Sequence, residues 1–200
     1  MSRLSPVCAL LCALAALPAW ADPTPAEVQK VLQRDLHPRG QAGMDRLNQD
    51  EVQRACTESH DQPAAELAKS LQAGQMNGIA FPEGSLIGDW KRGEAIAQSG
   101  RGMTWNHKPG EAAVGSCYNC HELSPKQLSH GTIGPSLRDF GKKRGADADV
   151  QRYAYGKIYN AKAYNLCSQM PRFGPSGTLT PQQIKDLVGL LLDPASPVNQ

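Results

Sequence analysis

Residues 115–125 read GSCYNCHELSP, with Cys117 and Cys120 separated by two residues and His121 directly after the second. Three chemistries use such a grouping. A structural zinc site needs four nitrogen or sulfur ligands, ordinarily from two paired motifs, and no second CxxC or HxxxH accompanies this one. A redox disulfide of the thioredoxin kind follows a strand in a βαβ unit, and no alternating strand pattern precedes this motif. The remaining chemistry is covalent attachment of one haem c, with Cys117 and Cys120 forming thioethers to the two vinyl groups and His121 ligating the iron.

The composition agrees with that choice. The chain holds only three phenylalanines in 200 residues, so a buried porphyrin supplies apolar contact that the side chains lack. A second axial ligand is needed, and beyond the motif the chain offers Met44, Met76, Met103 and Met170 as well as four histidines. Met170 lies in CSQMPRFG, a loop punctuated by glycine and proline just before the last helix, where a sulfur can be presented opposite His121. A thioether favours reduced iron and raises the potential. Ordinary core packing is the other role open to Met170, and His130 is the rival ligand. In TIGPSL, residues 132–137, the Pro135 carbonyl can accept a hydrogen bond from His121 and so orient its ring; a plain turn is the alternative.

The N-terminus fixes the compartment. Arg3, the apolar run CALLCALAALP and Ala19-Trp20-Ala21 form a secretory signal peptide, residues 1–21, cleaved before Asp22. The run is too short to span a bilayer, no later segment is longer, and Cys12 sits in mid-run, where a lipoprotein cysteine would not. Export to the periplasm puts Cys56 and Cys167 in an oxidising environment, where a disulfide between them is the commoner outcome. An intermolecular bond, a free thiol, or Cys167 as a substitute iron ligand are the other possibilities. Net charge is +2 over the whole chain, and Arg3 is the one charged residue removed with the leader. Such balance argues against nucleic acid. The basic run Arg138, Lys142, Lys143, Arg144 could guide an acidic redox partner or simply be a solvated face.

The rest of the chain reads as helices and irregular loops. Residues 22–87 form an N-terminal extension that begins with a capping box at Thr24-Pro25-Ala26-Glu27 and carries Val28, Val31, Leu32 and Leu36 on one face. Leu67, Ala68 and Leu71 repeat that spacing. The segment is too poor in large apolar groups to build its own core and must pack on the second part or on a partner chain. Residues 88–200 form the haem domain. Its first helix runs from Asp89 to Gly100, with Trp90, Ala95 and Ile96 as apolar contacts and Gly93 allowing close approach. Its last opens on Thr180, Pro181 and Gln183, shows a stripe of Ile184, Leu187, Val188, Leu191 and Leu192, and stops at Asp193-Pro194.

The haem motif, GPSL and the Met-Pro loop before an amphipathic last helix resemble a class I cytochrome c over residues 88–195, which implies an all-α fold with a helical and irregular N-terminal extension. One departure is the insertion RGMTWNHKPGEAAVGS, residues 101–116, between the first helix and the motif. A closer resemblance, carried by GDWKRGEAIAQSGRGMTW, GTIGPSLRDFGKKRG and the long stretch YGKIYNAKAYNLCSQMPRFGPSGTLTPQQIKDLVGLLLDPASPVN, is to the SoxX family, monohaem subunits of the SoxAX cytochromes of sulfur-oxidising bacteria. That resemblance implies a periplasmic heterodimer with a SoxA-like monohaem or dihaem subunit. The complex is an L-cysteine S-thiosulfotransferase that joins thiosulfate to a cysteine of a SoxYZ-like carrier and passes electrons to a downstream acceptor cytochrome. It further implies Cys117 and Cys120 as haem anchors, His121 and Met170 as axial ligands, and a catalytic cysteine on the SoxA-like partner. A freestanding electron-carrier cytochrome is the alternative.

Overall fold

The computed structural model describes residues 23–100, 104–108 and 115–200; the leader 1–21, its cleavage point and Met103 lie outside them. Among the described residues every regular element is helical, and extended pairing is limited to an isolated bridge between Arg39 and Ala42. The chain divides after His37 into two units. The first contains helix α1 (Pro25–Asp35), capped as its sequence implies: the Thr24 hydroxyl accepts from the Glu27 amide while the Glu27 carboxylate accepts from the Thr24 amide. Its apolar residues Val28, Val31 and Leu36 are exposed.

The second unit, residues 38–200, holds helices α2 (Glu51–Glu58), α3 (Ala65–Asn77), α4 (Trp90–Gln98), α5 (Phe140–Arg144), α6 (Ala148–Tyr159) and α7 (Pro181–Leu192). Its principal core forms where α4 crosses α7, joined by α6: Ile96 and Ala97 meet Ile184, Leu187, Val188 and Leu190, and Ala154, Tyr155 and Ile158 close the remaining side. Helices α4 and α7 crossing around one apolar core agree with the all-α fold that the sequence resemblance implies. Helix α7 starts at the Thr180–Gln183 capping box with Pro181 in the first turn. It is buried on more than one stripe: Gly189 lies against the Gly88 backbone and Leu190 against Gly93, and Leu191 and Leu192 are buried as well.

The α4–α7 contact corrects one expectation. Ala95 is exposed, and Ala97 is buried beside Ile96 in its place. The face of α4 is chosen by Gly93, which lies on the Asp186 carbonyl, rather than by the apolar spacing alone. Asp186 is 2 % exposed and ties the crossing together. Its carboxylate accepts from Arg92 Nε at 2.8 Å and Nη2 at 2.9 Å, from the Asp89 amide at 2.9 Å and from Gln182 Nε2 at 2.9 Å.

Burial alone would raise the Asp186 carboxyl, but the Arg92, Asp89 and Gln182 hydrogen bonds together outweigh it and hold the group below its ordinary value. A depressed folded-state value means stabilisation that is complete above the unfolded pKa of about 3.9 and lost as pH falls through the folded one. Losing these charge-assisted bonds in Asp186→Ala is expected to cost about 2–3 kcal/mol near neutral pH. The deficit should shrink as urea titrations are taken below about pH 4; an equal deficit at every pH would contradict the assignment.

A second, smaller core explains the segment that cannot build its own. Val52 and Cys56 of α2 pack with Leu166, Ala68, Leu71 and Cys167. Gln72 Nε2 donates to the Ala163 carbonyl at 3.1 Å, and Asn160 Nδ2 to Gln75 Oε1 at 3.1 Å. Cys56 and Cys167 are joined by a disulfide, Cα–Cα 5.5 Å, across 111 residues of sequence. Helices α2 and α3 thus lie on the loop that leads to Met170.

Candidate functional site

The CxxCH motif occupies a tight turn at the end of α4. Gly115 donates to the Ile96 carbonyl at 3.0 Å and Ser116 to the Ser99 carbonyl at 2.9 Å. Residues 115 and 116 are therefore held to the end of α4, and the motif meets that helix as though it followed directly. Cys117–Asn119 is a 3₁₀ turn, entered through Ser116 in the left-handed region, and both Cys120 and His121 donate to the Cys117 carbonyl. Thr104–Lys108 of the insertion lies against residues 39–41: Arg39 stacks on Trp105 at 3.4 Å and Gln41 Nε2 donates to the Thr104 carbonyl.

A second strand of backbone runs along the motif and fixes its imidazole. Gly131 donates to the Tyr118 carbonyl, Gly134 to Cys120 and Leu137 to Glu122, at 2.9, 2.8 and 2.8 Å. Two glycines make the approach possible. A Cβ on Gly131 would lie 1.8 Å from the Asn119 oxygen, and one on Gly134 would lie 2.3 Å from the His121 ring. His121 Nδ1 is 2.7 Å from the Pro135 carbonyl. A carbonyl only accepts, so Nδ1 carries the proton and Nε2 keeps its lone pair for a metal. The Ser136 hydroxyl then donates to Glu122, whose carboxylate also pairs with Arg138 at 3.4 Å.

The two motif cysteines are not bonded to each other. Burial pushes the Cys117 thiol up to about 11, so it stays a neutral thiol facing apolar surroundings. Cys117 and Met170 pack against the same principal core, together with Tyr118, Leu137, Phe140 and Tyr159. Met170 follows Ser168, whose hydroxyl accepts its amide at 3.2 Å. Of the other candidates, Met76 is exposed, Met44 lies in the 3₁₀ turn Met44–Leu47, and His130 is exposed with Nδ1 turned to the Gly131 carbonyl. In the basic run, Lys142 and Lys143 pair with Asp139, while Arg144 lies over Phe140 and Tyr153.

These residues suit a haem c. Two unbonded thiols, an imidazole with Nε2 available and a thioether on a neighbouring loop are its full donor set. Two further observations agree. Ile133, in the loop over His121, is 81 % exposed, a large apolar surface that a macrocycle would cover. The Tyr155 hydroxyl, fully buried in the core that Cys117 and Met170 line, has no hydrogen-bond partner among the described residues. The Asp50–Arg172 ion pair and the close approach of Gly134 to His121 were not signalled by any local pattern.

No family model matches the chain. An uncharacterised lipoprotein of Aquifex aeolicus is 38 % identical over 159 residues, covering 76 % of this chain and 73 % of the relative. Among solved structures, the crystal structure of SoxXA from P. pantotrophus is similar at 26 % identity with a TM-score of 0.41, covering 57 % of this chain and 87 % of that one.

Proposed function

The chain belongs to one family with the uncharacterised lipoprotein of Aquifex aeolicus, and from that premise and the geometry at 115–137 we propose that it is an exported haem c protein that takes up and passes on electrons. The observation that carries the proposal is the His121 ring, its Nδ1 proton committed to Pro135 and its Nε2 free beside two unbonded cysteines. A zinc-binding reading lacks further ligands: the one cluster of metal-binding side chains among the described residues is Cys56, Asp61 and Cys167, two of which are consumed by the disulfide. A relative that is a lipoprotein supports export to the cell envelope, in keeping with a signal peptide and a periplasmic location.

When bound, the haem supplies a one-electron acceptor whose potential a thioether ligand raises. The chain's residues do the rest. Cys117 and Cys120 would anchor it, His121, oriented by Pro135, would ligate its iron, and Met170 would supply a further ligand. Among the described residues no nucleophile with an adjacent base accompanies them. The sequence resemblance supports a finer assignment: this is the electron-accepting subunit of a SoxAX-type L-cysteine S-thiosulfotransferase, with the sulfur chemistry on a SoxA-like partner and the product cysteine on a SoxYZ-like carrier. Joining thiosulfate to a thiol releases two electrons, and one iron accepts them singly, so a subunit of this kind needs a second centre or re-oxidation within the turnover.

Three measurements test this. Material from a haem-maturing periplasm should carry haem mass on the peptide 115–125 and a weak far-red sulfur-to-iron band when oxidised; colourless protein would refute it. Met170→Ala should lose that band and lower the reduction potential by on the order of 0.1 V, within the roughly 0.8 V that axial ligands span, while Met44→Ala leaves both in place. Mixed with a SoxA-like chain, the protein should form a one-to-one complex whose haem is reduced by thiosulfate. A monomer indifferent to thiosulfate would identify a freestanding carrier.

A further inference from the structure

Met170 lies between two residues that are fastened to the same helix. Three positions before it, Cys167 is bonded to Cys56 in the last turns of α2. Two positions after it, the Arg172 guanidinium pairs with the carboxylate of Asp50, the residue that caps α2. Asp50 serves both ends of this contact, because its other oxygen accepts from the Gln53 amide at 2.8 Å. The anchors are six residues apart on the helix, about 9 Å along its axis, and they bracket a strap of only four residues.

The space between strap and helix is open. A cleft of about 670 Å³ separates them, lined on one side by Asp50, Gln53 and Thr57 and on the other by Ser168, Met170 and Arg172. On its α2 side the strap is therefore held at its ends, while Met170 itself rests against the principal core. Its upstream anchor is itself fixed: Lys162, 7 % exposed, donates from Nζ to the Leu166 carbonyl at 3.2 Å, and Leu166 sits in the small core with Val52 and Cys56.

We infer that helix α2 and its cap are a positioning device for Met170, clamping the strap at Cys167 and Arg172 so that the thioether is delivered to one place. This rests on the reading of Met170 as an iron ligand. A strap free at either end samples many backbone states, each ordered residue being a real entropic cost, and the effective concentration of its sulfur at the iron falls accordingly. Asp50, Arg172, Cys56 and Cys167 are positioning residues; none of them touches the iron.

The test is displacement of the thioether by free imidazole in the oxidised haem protein, followed by loss of the far-red band. Cys56→Ser/Cys167→Ser should raise the apparent imidazole affinity by about 10- to 100-fold and Arg172→Gln by about 3- to 10-fold. Arg172→Lys should restore most of the second effect. Arg92→Gln, which weakens the fold at the α4–α7 crossing without touching the strap, should leave the affinity unchanged. Amide exchange should speed up across residues 168–173 in the double serine variant and in Arg172→Gln, and nowhere near 121–135. The two failures separate. A colourless chain overturns the ligand reading beneath this inference, whereas a haem-bearing chain with the same imidazole affinity and the same exchange in every variant overturns the positioning role alone.

Discussion

Cys117→Ala/Cys120→Ala should yield a chain with no added mass on the 115–125 peptide and no cooperative melting transition. The reason is the way the core is divided. Of three phenylalanines in the chain, only Phe173 is buried; Phe81 and Phe140 are half-buried at the margin of the principal core, as are Cys117, Tyr118, Leu137, Tyr159 and Met170. Covering roughly 300–400 Å² of apolar macrocycle contributes on the order of 8–10 kcal/mol at about 25 cal/mol per Å². That is comparable with the whole net stability of an ordinary domain, about 5–15 kcal/mol. Removing the anchors removes that contribution and leaves Ile133 and the Tyr155 hydroxyl as liabilities.

The readouts are calorimetry and near-ultraviolet circular dichroism on protein made with and without haem maturation. Met170→Ala, which keeps both thioether anchors, serves as the control and should still melt cooperatively. The Cys56–Cys167 disulfide, which closes 111 residues of chain, keeps the double mutant compact. A compact state without a sharp transition is therefore the expected signature. A cooperative transition in the double mutant would show that the side chains alone make the core.

What could be read from the sequence divides along one physical line. Features encoded by neighbours three or four residues apart were legible: the capping boxes of Thr24 with Glu27 and Thr180 with Gln183, the spacing of the motif, and most of the α7 stripe. The hydrogen bond from His121 to Pro135 was readable only as one of two uses of a proline turn, and the Cys56–Cys167 bond only as the commoner fate of two spare cysteines. Features set by distant backbone were not legible. Nothing local distinguishes Ala97 from Ala95; the choice depends on the Asp186 carbonyl under Gly93, far along the chain. The insertion separates α4 from the motif in sequence, and only the bond of Ser116 to Ser99 brings the two together. Arg172 and Asp50 are 122 residues apart and neither belongs to a recognisable motif.

Gly93→Ala is the second large effect expected, because alanine would stabilise this helix anywhere but at its crossing. A Cβ on Gly93 would sit 2.1 Å from the Asp186 carbonyl oxygen and 3.0 Å from Leu190 Cβ. Backbone cannot swing aside as a flexible side chain can, so α4 must move off α7. The same retreat pulls Asp89 and Arg92 from the Asp186 carboxylate and opens space beside Ile96 and Ala97. Overpacking of this kind costs about 1–3 kcal/mol, and more where a network goes with it, against a gain of about 1 kcal/mol from helix propensity. A net loss of about 2–4 kcal/mol should lower the melting temperature by roughly 5–15 °C in a unit this size. Gly74→Ala supplies the contrast: in the last turn of α3, with nothing within 4 Å of the added methyl, it should raise the melting temperature slightly, by up to the gain of about 0.5–1 kcal/mol expected for an unobstructed glycine. Because the motif hangs from the end of α4 through Gly115 and Ser116, the retreat should also reach His121 and shift the haem spectrum. A Gly93→Ala protein with undiminished stability would mean that the two helices do not cross at this contact, and the motif would then lose the support from which its geometry derives.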